Sequence, residues 1–406
     1  MEQPAMIIIG SGEAGGCAAV ALREAGWAGP ITLFGEERHG PYERPPLSKE
    51  LLTDTEPPRT RTSAEAKRFA ELGVILRPNT RVAEISPERK LIRLQSGGSV
   101  PYENLLLATG ARARLLKVPG SEYALTLRSF EDAWALRHLL GAGGHAIIVG
   151  GGFIGLELAA SAVKLGGRVT LLESRERLLA RAVPSALAER IRLEHARRGV
   201  LFHFGTALSR IERRAVILDN GERISGDVVV CGVGAEPETA LARKAGLRID
   251  NGIVTDDRLR TSDPSIYACG DCAASIHPQF SDKPMRFESW QVAREQGALA
   301  GRNMAGADER QSIVPWFWSE QYDLHLQIAG LPDLGETMVE RILTDETQLQ
   351  FHLDHGGRLV GAAALGKLSD LARDMRVAQM LIARNATPDP AALAATGRRL
   401  KTLLAA

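Results

Sequence analysis

Two glycine clusters of the form G-x-G-x-x-G occur in this chain, Gly10-Ser11-Gly12-Glu13-Ala14-Gly15 and Gly150-Gly151-Gly152-Phe153-Ile154-Gly155, each closing an apolar run. A loop of this kind can cradle a pyrophosphate. Its first glycine permits the tight turn, its second lets backbone N–H groups approach the phosphates, and its third lets the next helix pack on the strand. The helix N-terminus then meets the anion with its positive dipole end. Two such loops in one chain point to two dinucleotides, and so to hydride transfer from a nicotinamide to a second, bound redox nucleotide. A flavin is the economical acceptor.

The second loop carries the sharper signal. Val169-Thr170-Leu171-Leu172-Glu173 sets an acid at the end of the following strand, where a carboxylate accepts both ribose hydroxyls of NAD and repels a 2′-phosphate. Arg175, two residues on, is the feature that would favour NADP; the reading adopted is NAD. Cys269-Gly270-Asp271-Cys272 has redox spacing, yet the chain holds only four cysteines, Cys17 and Cys231 being the others. That is no disulfide framework and fits a reducing cytoplasm. No Cys/His grouping has zinc spacing, so no metal is expected.

The elements that must position these residues repeat an architecture. Ile7 to Ile9, the Gly10 loop, a helix over Cys17 to Ala25 and a strand over Ile31 to Phe34 form one β-α-β unit. Ala146 to Val149, the Gly150 loop, Leu156 to Lys164 and Val169 to Leu172 form the second. Between them, Pro41-Tyr42-Glu43-Arg44-Pro45-Pro46-Leu47-Ser48-Lys49 reads as a fixed loop, because its prolines forbid regular structure. After Gly234 the chain is expected to return to the first domain, since the run Thr261 to Asp271 needs a sheet to end on. From about Val314 a third region begins, with Trp316-Phe317-Trp318, alternating stretches such as Gln348 to Leu353, and a helix over Leu371 to Arg384.

At 406 residues the chain exceeds one ordinary core. Lys and Arg number 50 against 49 Asp and Glu, so no global field argues for nucleic acid or an acidic membrane. The apolar stretch Ala146 to Val163 could pass for a membrane span. Its glycines and Glu157 make it a buried strand turning into a helix instead. The start of the chain shows no basic segment with a cleavage site and runs at once into the first strand.

Further motifs carry a family resemblance: Arg44-Pro45-Pro46-Leu47-Ser48-Lys49, Ala108-Thr109-Gly110, Thr261-Ser262-Asp263-Pro264 leading to Gly270-Asp271-Cys272-Ala273, Glu288-Ser289-Trp290 with Glu295-Gln296, and Trp316-Phe317-Trp318-Ser319-Glu320-Gln321-Tyr322. With the two glycine loops they run in order from residue 7 to at least 330. The chain resembles the FAD-dependent, NADH-linked ferredoxin reductases of bacterial oxygenase systems, the group of the putidaredoxin, rubredoxin and biphenyl dioxygenase reductases.

The resemblance implies an α/β fold of two Rossmann-like dinucleotide-binding domains, glutathione-reductase-like, plus a small C-terminal α+β domain. The expected division is 1–111 with 235–313 for FAD, 112–234 for NAD, and 314–406. It further implies that Ala14, Glu36, Lys49, Val82, Arg128, Asp271 and Trp290 line the FAD. Arg44, Ala108, Thr109 and Gly110 join Gly10, Gly12 and Gly15 in that site. Ile154 and Gly234 join Gly150, Gly152, Gly155 and Glu173 in the NAD site. Glu36 is the acid for the adenosine ribose, although Gly35 holds the strand-end place, which leaves Glu37 a rival. Lys49 and Glu157, read as coming from different modules, meet near flavin N5 in proteins of this resemblance. There the ammonium would stabilise developing negative charge, with Trp318 covering the ring. Trp316 and Trp318 share strand parity and would point to one face.

The implied reaction takes hydride from NADH onto FAD and passes single electrons to a 2Fe-2S ferredoxin, or a rubredoxin, that feeds a ring-hydroxylating dioxygenase or a cytochrome P450. The cysteines are too few and wrongly spaced for an iron–sulfur cluster, so the cluster belongs to another protein. Between Arg175 and Arg198, seven arginines face three glutamates, a patch that could steer an acidic partner, with Arg373, Arg376 and Arg384 a rival patch. Disulfide reductases and NADH oxidases share the plan but need a cysteine beside the flavin, and none lies between Cys17 and Cys231. An NADH-sensing flavoprotein of apoptosis-inducing-factor type is the alternative from a different class. The segment Gly361 to Met380 leans toward the dioxygenase reductases.

Overall fold

Apolar runs flanked by glycines dictate where the parallel strands form, and the computed structural model shows them in two places. It describes residues 5–405 except 55, 57, 58, 61, 64 and 142. The chain divides into two compact units: Met1–Glu43, Thr60–Arg112 and Glu236–Pro315 make the first, and Arg44–Arg59, Ala113–Ala235 and Trp316–Ala406 the second.

In the first unit a five-stranded parallel sheet runs in the order Ile266–Ala268, Leu105–Leu107, Met6–Ile9, Ile31–Phe34, Val74–Arg77. The central strands are apolar throughout because both faces are covered, as parallel sheets require. On one face the helix Glu13–Glu24 packs against the helix Trp290–Met304. Small residues make that approach possible. A Cβ on Gly297 would stand 2.2 Å from the Ala14 carbonyl oxygen, and one on Gly301 2.5 Å from that of Ala18.

In the second unit a four-stranded parallel sheet runs Leu201–Phe204, Arg168–Glu173, His145–Val149, Val228–Cys231. The helix Phe153–Lys164 follows its glycine loop, so the apolar stretch Ala146 to Val163 is a buried strand and then a helix. No helix among the described residues is long and apolar enough to cross a membrane. The same unit contains a five-stranded antiparallel sheet, ordered Trp316–Gln321, Leu324–Gly330, Leu359–Gly366, Gln348–Leu353, Thr337–Ile342, covered by the helix Leu368–Ala383. This is the α+β arrangement expected of the C-terminal region.

One local expectation is corrected. The proline segment is not an irregular loop at its centre: Pro45–Ser48 forms a 3-10 turn with prolines at its first positions, and a short helix, Glu50–Thr53, follows. Proline's fixed φ suits a helical first turn, where its missing N–H costs nothing.

Gly297→Ala should lower stability by about 1–3 kcal/mol, the cost of overpacking a close backbone contact. Urea unfolding reads this directly, and an unchanged midpoint would show that the two helices can move apart freely.

Candidate nucleotide and redox sites

Strand register makes the two glycine loops comparable residue by residue. Ile9 pairs with Phe34 and Val149 with Leu172, and Gly10 N–H and Gly150 N–H donate to the carbonyls of Phe34 and Leu172, both at 2.8 Å. Gly10 and Gly150 have φ of +114° and +108°, in the left-handed region that disfavours side chains. A Cβ would stand 2.1 Å from the Ala108 oxygen at Gly10 and 2.5 Å from the Gly232 oxygen at Gly150. A Cβ on Gly15 or on Gly155 would lie 2.0 Å from the carbonyl oxygen of its own loop's first glycine, which is the close helix–strand packing the third glycine permits.

Gly12 and Gly152 are the N-caps of the following helices, and neither helix has a side-chain cap. A Cβ on Gly12 would meet nothing within 4 Å, and one on Gly152 only the Gly232 oxygen at 3.9 Å. Open space over an uncapped helix N-terminus is what a pyrophosphate needs. On this observation the chain fits two dinucleotides.

The strand ends differ. Glu173 accepts hydrogen bonds from Gly151 N–H at 2.8 Å and Arg175 N–H at 2.9 Å, so its carboxylate is fixed at the loop rim. The register equivalent of Glu173 in the first loop is Gly35. A Cβ there would stand 2.0 Å from Ser11 Oγ, and Ser11 is the counterpart of Gly151. The first loop therefore has a serine where the second has an acid. Glu36, one residue further, is exposed and pairs with Arg81 at 3.2 Å, while its rival Glu37 accepts from the Tyr42 hydroxyl at 2.6 Å.

Other residues expected at the FAD gather in the first unit. Ala14 is buried, with Gly270 packed on it. Val82 is buried in the adjoining core. Thr109 donates to the Glu238 carbonyl at 2.6 Å, and Gly110 accepts from Glu238 N–H, fixing the turn after Ala108. Asp271 sits in the 3-10 turn Gly270–Cys272, whose Gly270 N–H is held by Gln296 at 2.9 Å. Trp290 opens its helix, with the Arg294 guanidinium 5.4 Å from its ring centroid. Arg294 also bridges Glu13 at 3.2 Å and Glu65 at 2.7 Å. Glu13, Cys17 and Glu65 bring ligand atoms within 4.8 Å of one another, but the guanidinium is the cation they share. Burial, with Glu65 close by, raises the Glu13 carboxyl above its ordinary range.

The second unit contains the remaining residues. Arg44 donates to the Arg128 carbonyl at 2.6 Å. Ile154 is exposed on the first turn of its helix, and Gly234 has φ +108°. Lys49 Nζ lies 3.3 Å from Glu157 Oε1. Both fall within the same compact unit. Glu157 is only 5% exposed, and the hydroxyls of Ser48 and Ser319 donate to it as well, the latter at 2.6 Å. Neither serine was anticipated as functional, although both lie inside conspicuous motifs. Trp316 and Trp318 stack, with centroids 5.0 Å apart, as their shared parity requires.

The cysteines are not a redox pair. All four are free and buried, and Cys269 and Cys272 are wholly enclosed. Burial pushes both of these thiols up, and Cys272 Sγ lies 3.4 Å from the Leu107 carbonyl oxygen.

Comparison with known proteins gives a consistent picture. Residues 4–297 match the model of the pyridine nucleotide-disulphide oxidoreductase family, and residues 316–404 match a reductase C-terminal family. The chain is 39% identical to the anthranilate 1,2-dioxygenase system ferredoxin–NAD(+) reductase component of Burkholderia cepacia, over 100% of both chains. Among solved structures it is similar to the ferredoxin reductase for the CYP199A2 system from Rhodopseudomonas palustris, with TM-score 0.92 and 33% identity over 98% of this chain and 99% of the other. It is also similar to a covalent putidaredoxin reductase–putidaredoxin complex, with TM-score 0.91 and 32% identity over 100% and 99% of the two chains.

Iodoacetamide applied to the native protein near neutral pH should leave Cys269 and Cys272 unmodified, and both should react once the chain is unfolded. Rapid native labelling, read by mass spectrometry, would contradict their enclosure.

Proposed function

The chain belongs to the pyridine nucleotide-disulphide oxidoreductase family, and from this premise we propose that it is the ferredoxin–NAD(+) reductase component of an oxygenase system. The observation that carries the reading is the pair of uncapped, open glycine loops, only one of which ends its second strand in an acid. Relatives named as reductases of ferredoxin systems match the chain over nearly its whole length. FAD held by the first loop would supply the conversion an iron–sulfur partner needs, from an electron pair arriving as hydride to electrons leaving singly.

The chain's own residues divide the work. The first loop, with Ala14, Glu36, Val82, Ala108, Thr109, Gly110, Asp271 and Trp290, is the site proposed for FAD, and Arg44, Lys49 and Arg128 are proposed to join it. The second loop, with Ile154, Glu173 and Gly234, is proposed for NADH, Glu173 taking the ribose hydroxyls and repelling a 2′-phosphate. The Lys49 ammonium, held by Glu157 at 3.3 Å, would counter negative charge on a flavin ring bound beside it, and Trp318 would shield that ring. The domain division 1–111 with 235–313, 112–234 and 314–406 follows from the same reading, as does a cytoplasmic location.

The partner is proposed to be a 2Fe-2S ferredoxin, and the covalent complex with putidaredoxin shows a structural relative joined to its redox partner. Steering by the Arg175 to Arg198 patch is weakened by local pairing. Arg192 is matched by Glu189, Arg197 and Arg198 by Glu194, and Arg190 is bound to Gln348 and the Glu346 carbonyl. The signalling alternative shares the fold and differs in one measurable respect, the absence of any rate gain from a ferredoxin.

The purified protein should carry FAD, oxidise NADH in strong preference to NADPH, and reduce cytochrome c faster once a 2Fe-2S ferredoxin is added. No stimulation by any of several ferredoxins would overturn the assignment. Lys49→Met should slow flavin reduction by NADH by roughly tenfold or more, the scale of losing one preorganised charge. Unchanged reduction kinetics would remove Lys49 from the chemistry.

A further inference from the structure

Glu157 does not end at Lys49. A carboxylate only accepts hydrogen bonds, and this logic fixes the direction of every bond in a chain of buried side chains behind it. Ser319, fully buried, must donate its hydroxyl to Glu157 Oε1 at 2.6 Å. The Ser319 oxygen is then left to accept, and it accepts from Gln321 Nε2 at 2.9 Å. The Gln321 amide is thereby oriented with Oε1 outward, 2.9 Å from His195 Nε2. That nitrogen must carry the imidazole proton. His195 Nδ1 is then the acceptor for the Tyr322 hydroxyl at 3.2 Å. Both Gln321 and His195 are completely buried.

Every bond in this series points the same way, toward Glu157. The series requires a neutral His195, and burial favours one: it lowers the imidazole to about 4. Glu194 and Arg198 flank His195 with opposite charges, and the Arg198 guanidinium lies 4.3 Å from the Tyr322 ring centroid while pairing with Glu194 and Asp323.

Strand geometry explains how the series is built. Residues alternate faces along Trp316–Gln321. Trp316 and Trp318 share one face and stack. Phe317, Ser319 and Gln321 share the other, where Phe317 meets Phe153 at 4.3 Å, Ser319 meets Glu157, and Gln321 meets His195. Phe153 and Glu157 belong to the helix that follows the second glycine loop, and His195 to the helix Ser185–Arg197.

We propose that Ser319, Gln321 and His195 are positioning residues for the Lys49–Glu157 pair, a directed hydrogen-bond relay that fixes Glu157 and through it the placement of the Lys49 ammonium. The relay rests on the ferredoxin reductase reading only for its consequence, the rate of flavin reduction. Its geometry stands apart from that reading. Removing one link leaves the fold's apolar contacts in place but frees Glu157 to turn, and the pair loses its orientation.

The test uses the FAD-loaded protein and anaerobic reduction by NADH. Ser319→Ala should lower the limiting reduction rate by roughly tenfold, the scale of one hydrogen bond to a charged group, and Gln321→Met by about threefold to fivefold, the scale of one bond between neutral groups, with the NADH concentration for half-saturation unchanged in both. Ser319→Thr, which keeps the hydroxyl, should restore most of the rate. Nitrogen-15 NMR of the wild-type histidines should show His195 protonated on Nε2 alone at neutral pH, and this signature needs no turnover. Unchanged limiting rates in folded Gln321→Met and Ser319→Ala proteins, or His195 protonated on Nδ1, would overturn the relay. A wild-type protein that NADH cannot reduce would instead defeat the functional reading, leaving the NMR signature to judge the relay.

Discussion

A carboxylate that is 5% exposed cannot stay in a folded protein without partners, and Glu157 is the constraint around which the second unit is arranged. It draws in the proline-led turn through Ser48 and Lys49 and the last sheet through Ser319. Ser161, one helical turn further on, donates to the Ser48 carbonyl at 2.6 Å and pins the same turn again. The segment 44–59 thus groups with this unit for a physical reason. Its polar groups complete the solvation of a charge that water cannot reach. An ion pair alone would not suffice, since desolvating two charges costs more than their attraction returns unless the remaining lone pairs are also satisfied.

What could be read in the sequence was whatever local spacing encodes. Both glycine loops, the acid at Glu173 and the shared face of Trp316 and Trp318 follow from periods of a few residues, and the structure contains each of them. The proline segment was misjudged because proline interrupts helices yet also starts them, and the neighbouring residues decide which. Ser48, Ser319, Gln321 and His195 were not singled out. Each is an ordinary polar residue, and they come from three separate stretches, a turn, a helix and a strand, that meet only after the helices and the last sheet have packed. No periodicity marks such a meeting. The available clue was parity: once Trp318 faces one way, Ser319 and Gln321 must face the other, into a region that would have to be polar to receive them. The dithiol spacing of Cys269 and Cys272 had the opposite fault, a local pattern whose chemistry is cancelled by enclosure.

The two nucleotide loops show how one architecture can be tuned twice. Their backbones obey the same contacts, down to the 2.0 Å approach that forbids any side chain at Gly15 and Gly155. Their rims do not. In one, a serine occupies the space beside a glycine, and in the other a glycine leaves space for an acid whose oxygens brace the loop. At the rim the two sites differ through the Ser11–Gly35 and Gly151–Glu173 pairs, while the glycines of the phosphate cradle stay common.

That exchange makes the two rim positions interdependent. Ser11 and Gly35 occupy mutually exclusive volume, since any side chain at 35 would begin 2.7 Å from the Ser11 Cβ, a distance no rotation of its hydroxyl relieves. An acid can enter at 35 only after the serine has gone, so the two substitutions are coupled and their order is set by sterics. Single exchanges at this corner are therefore not independent: Gly35→Glu with Ser11 in place should crowd the first loop, while the same change made with Ser11→Gly should not.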